Sequence, residues 1–108
     1  MEVYRNLIES LDQKADSLAP AEVYYRLGVI YYKLKEYSLA LGSFQKALNL
    51  PSKESETRAL SSFQMARIHS EQGDLSLARE YYSKVLEYKG PKHVLKDELE
   101  EAREQLKR

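Results

Sequence analysis

The chain contains no cysteine and no tryptophan, and only four glycines, three prolines and two phenylalanines among its 108 residues. Without cysteine there is no disulfide and no cysteine-based zinc site. Sparse glycine and proline argue against an all-β chain, whose turns recur every ~8–12 residues. No apolar run approaches the ~20 residues that span a bilayer. The first residues, MEVYRNLIESLDQ, lack the basic start and apolar run of a signal peptide. Excess charge of either sign is absent too: 17 Lys and Arg stand against 17 Asp and Glu. That balance speaks against a nucleic-acid footprint, which needs clustered positive charge, and against a polybasic membrane arm.

What the chain does have is tyrosine, nine residues of it, and a sustained helical period. Tyrosine suits half-buried positions, its ring packed and its hydroxyl wet. Val3, Tyr4, Leu7, Ile8, Leu11, Ala15 and Leu18 recur at helical spacing and predict a helix over residues 2–18. A second helix is expected over 21–34, with Pro20 at its start, where a missing amide donor costs little. Its apolar set, Val23, Tyr24, Leu27, Val29, Ile30, Tyr31 and Leu34, covers most of its circumference, so it is contacted on several sides. Lys35-Glu36 is a turn. Helices follow over 38–49, 52–71, 74–88 and 92–108, with Ser52 and Asp74 as N-caps and Gly73 as a left-handed stop. The last helix has a narrow stripe of Leu95, Leu99, Ala102 and Leu106 among charges, as a terminal cap needs.

Residues 21–50, AEVYYRLGVIYYKLKEYSLALGSFQKALNL, carry Tyr24, Leu27, Gly28, Tyr31, Ala40, Phe44 and Ala47, with Pro51 just after. A second copy lies 38 positions on, where Leu27, Gly28, Ala40, Phe44 and Ala47 become Met65, Ala66, Ala78, Tyr82 and Val85. This pattern resembles the tetratricopeptide repeat (TPR), strongly over 21–51 and moderately over 58–91. The family period is 34 residues; the four extra amount to about one turn, since a turn takes ~3.6 residues. The departures are Lys35 at the turn where a glycine is usual, Ser62 in place of Tyr24 and His69 in place of Tyr31. The last two suggest looser packing of the second hairpin, for which Phe63 compensates in part. Small residues permit close approach of helices, so Gly28 and Ala40 are expected where the first hairpin is narrowest.

The resemblance implies an all-α fold: a right-handed stack of antiparallel helix hairpins, two repeats between N- and C-terminal capping helices, six helices in all. Residues 1–108 then form one domain, with a helix over 1–19, repeats over 20–51 and 52–91, and a cap over 92–108. It also implies a concave groove lined by the first helix of each repeat, here Tyr25, Val29, Tyr32 and Lys33, then Leu60, Phe63 and Arg67. Tyr25 and Val29 stand where members that clamp a terminal carboxylate place Lys and Asn, which argues against that function. The expected role is protein–protein interaction, as a monomer holding a peptide or helix segment, without nucleic acid or membrane. The alternative is a structural or self-assembly module whose groove its own N-terminal helix fills, an excised or engineered piece of a larger protein.

Chemistry has no candidate. There is no activated-nucleophile motif and no Gly-rich phosphate loop, so neither a catalytic residue nor a cofactor is expected. His69 and His93 stand in no ligand spacing such as HExxH and read as a packing residue and a helix-start residue, which leaves no metal site. The run Asp97, Glu98, Glu100, Glu101 and Glu104 is interleaved with Lys96, Arg103 and Lys107 and reads as a self-neutralising solvated face.

Overall fold

The computed structural model describes residues 20–50 and 55–107, and every regular element among them is an α-helix. α1 runs Pro20–Lys33, α2 Tyr37–Asn49, α3 Ser55–Glu71, α4 Leu75–Val85 and α5 Lys96–Leu106. These correspond to the second to sixth of the six helices expected. The first, expected over residues 2–18, lies outside the described residues, as does Ser52. The chain divides into two compact units, Met1–Ser52 and Lys53–Arg108, a division that falls at the boundary between the repeats.

The first unit contains the hairpin of α1 and α2. Side-chain pairs run in reverse order along the two helices: Tyr32 meets Tyr37, Gly28 faces Phe44, and Tyr24 lies under Lys46. That order is antiparallel packing. A Cβ on Gly28 would stand 2.6 Å from Cε1 of Phe44, so only glycine admits the ring at this point. Phe44, Ala40 and Ala47 are completely buried. Gly28 is at the close approach expected of it, and the ring that fills the space there is Phe44 of the same hairpin.

The turns of the two hairpins are built alike, bond for bond. Lys35 N–H donates to the Tyr32 carbonyl and Glu36 N–H to that of Tyr31; Gly73 and Asp74 repeat this onto Ser70 and His69. This is the Schellman arrangement, in which the residue after the helix takes a left-handed conformation. Lys35 has φ 61° and Gly73 φ 82°. The glycine does this freely; the lysine does it under steric strain. The residue that closes each turn also begins the next helix. The Asp74 carboxylate accepts from Leu77 N–H at 3.2 Å, whereas Glu36 makes no side-chain cap.

In the second unit, α3, α4 and α5 enclose one core of Ala59, Phe63, Ala66, Ala78, Tyr82, Val85, Leu95, Leu99 and Ala102. Ala66 and Tyr82 stand where the first hairpin has Gly28 and Phe44. α3, whose expected span of 52–71 it fits within one turn, is the helix buried nearly all round, from Thr57 to Ile68. The spans expected for the last two helices shorten. α4 stops at Val85 instead of 88, because Leu86, Glu87 and Tyr88 tighten into bonds onto Ser83, Lys84 and Val85 that bring the Tyr88 ring back against the core. α5 begins at Lys96, not Lys92: a turn over 92–95 follows Pro91 and carries Leu95 into the core. His93 and Val94 are left exposed on that turn.

Candidate partner-binding face

Tyr25, Val29, Tyr32 and Lys33 recur three, four and seven residues apart, which places them along one side of α1. From Tyr25 to Tyr32 this side extends about 10 Å, at ~1.5 Å per residue. Tyr25, Val29 and Tyr32 are half-buried and Lys33 is exposed. Each tyrosine is braced from α2. Tyr25 lies 5.8 Å from the Phe44 ring centroid at a tilt of 46°, and Tyr32 lies 5.8 Å from Tyr37, edge to face at 75°. Braced rings keep their outer surfaces in place without further ordering, which is what a docking surface requires.

Charge along this helix is arranged unevenly. Near the N-terminal end Arg26 donates to Oε1 of Glu22 through Nη2 at 2.7 Å and Nε at 3.2 Å. Glu at i with Arg at i+4 is the favourable orientation of such a pair. At the C-terminal end Lys33 makes no ion pair among the described residues. The Lys46 ammonium lies 5.5 Å from the Tyr24 ring centroid. Lys84, its counterpart one repeat later, lies 4.7 Å from the ring of Tyr81. The cation–π pairs and the Tyr37 brace were not anticipated. The i, i+4 spacing of Glu22 and Arg26 was the one readable signal of the ion pair.

The second hairpin places its expected site residues differently. Leu60 is half-buried and packs against the core, and Arg67 is exposed with its guanidinium 5.6 Å from the Phe63 ring centroid. Phe63 itself is 6% exposed and meets Tyr82 edge to face at 6.2 Å. It is a core ring, not an open groove anchor. The reason is the segment after α4: the turn over 92–95 adds Leu95, and α5 adds Leu99 and Ala102, to the cluster that encloses it. Ser62 is buried, and His69 stacks on Tyr81 at 5.5 Å and 17° as a packing residue. The Tyr82 phenol is pushed above its usual pKa, first by burial, then by the Glu101 carboxylate, with Arg67 opposing. Burial and the neighbouring Glu80 raise that of Tyr81.

Among the described residues no three His, Asp or Glu side chains gather into a group able to hold a metal ion. No helix among them is long and apolar enough to cross a membrane. The Ser61 hydroxyl, on α3, is buried without a hydrogen-bond partner.

No curated protein matches the chain. A family model described as tetratricopeptide repeat matches residues 20–89, a span that begins with α1 and includes both hairpins. Two helix hairpins with the same buried small and large residues, closed by the same left-handed turn and matched over more than half the chain, make this protein a member of the tetratricopeptide repeat family.

Proposed function

We propose that the chain is a protein-interaction module without chemistry of its own, which holds a peptide or helix segment against the α1 face of Tyr25, Val29, Tyr32 and Lys33. The coarse part follows from membership: the family is a non-catalytic scaffold family that mediates protein–protein interaction. The observation that supports the finer part is the pair of half-buried tyrosines held by Phe44 and Tyr37. Tyrosine is among the residues that most often anchor interfaces. In the second unit, taken by itself, Leu60 and Arg67 support a reading of the same kind for the α3 surface, while Phe63 supports the fold beneath it. The zero net charge of the whole chain favours a protein partner over nucleic acid.

The test is binding by a Tyr25→Ala, Tyr32→Ala double variant, with circular dichroism as the folding control. Loss of partner binding is expected with the helical signal retained, each anchor contributing ~2 kcal/mol. Phe63→Ala is the contrasting variant: truncating a core ring typically destabilises by ~3–5 kcal/mol, so it lowers the melting temperature itself. A folded double variant that binds as well as the parent refutes the α1 site.

A further inference from the structure

We draw no further inference here: the strongest candidate, the exposed basic connection between α4 and α5 that carries Lys89, Lys92 and His93, is flanked along the chain by the acids Glu87, Asp97 and Glu98, so its charge selects no occupant, and nothing in the structure shows what covers it.

Discussion

Gly28 offers the sharpest test of how the first hairpin is packed. Replacing it with alanine adds one methyl group to the middle of α1. That methyl would lie 2.6, 2.7 and 2.9 Å from Cε1, Cδ1 and Cζ of Phe44, well inside van der Waals contact at ~3.5–4.0 Å. The ring cannot simply step back: Phe44 is fully buried and Tyr25 lies against it at 5.8 Å. Overpacking of this kind costs about 1–3 kcal/mol, while exchanging a mid-helix glycine for alanine returns up to ~1 kcal/mol. The expected net effect is a loss of about 1 kcal/mol, and more for Gly28→Leu. Gly42 supplies the internal control. It lies in α2, with nothing within 4 Å of its would-be Cβ, so Gly42→Ala receives the propensity gain of up to ~1 kcal/mol unopposed. Thermal melts followed by far-ultraviolet circular dichroism separate the two, since 1 kcal/mol moves the melting temperature by about 4–8 °C in a domain of this size. Phe44→Leu in the Gly28→Ala background makes room for the methyl, so the pair should couple favourably in a double-mutant cycle. A Gly28→Ala variant as stable as Gly42→Ala would remove Gly28 from the helix contact and with it the packing argument.

The first turn should improve when given the chemistry of the second. Lys35→Gly relieves a left-handed residue strained by ~1 kcal/mol, less the ~0.4–1 kcal/mol by which glycine loosens the unfolded chain. Adding Glu36→Asp supplies the cap that Asp74 makes, so the double variant should gain about 1 kcal/mol in urea melts; a lower urea midpoint would contradict the shared geometry. Ser61→Ala removes a buried hydroxyl without a partner and should raise stability by about 1 kcal/mol at unchanged m-value; a destabilised variant would show that the hydroxyl is bonded in solution. Burial raises the Tyr82 phenol pKa in the folded chain, so the folded state holds its proton longer than the unfolded one. Stability is then undiminished below about pH 10 and falls as pH rises through the folded value. Tyr82→Phe should flatten that alkaline decline, and an unchanged pH profile would place the burial effect elsewhere.

Local chemistry in the sequence determined where the helices run and how the hairpins turn. A 3.6-residue period announces a buried stripe wherever it falls, and a left-handed residue followed by a cap announces a turn. Both are properties of a few neighbouring residues. Hence α1, α2 and α3, the turns at Lys35 and Gly73, the Asp74 cap and the close approach at Gly28 are legible in the sequence, while the ring that fills that approach, Phe44, is not. The tertiary structure decided what those signals leave open. Tyr25 and Phe63 occupy the same position of the repeat, 38 residues apart, and look interchangeable as groove anchors in the sequence. Only folding separates them: α5 closes over the core that holds Phe63, while Tyr25 is half-buried. The ends of α4 and α5 were misplaced for the same reason, since Tyr88 and Leu95 leave the helical path to reach that core. Burial is a property of every surface that meets a side chain, and those surfaces come from segments distant along the chain, where no local period records them.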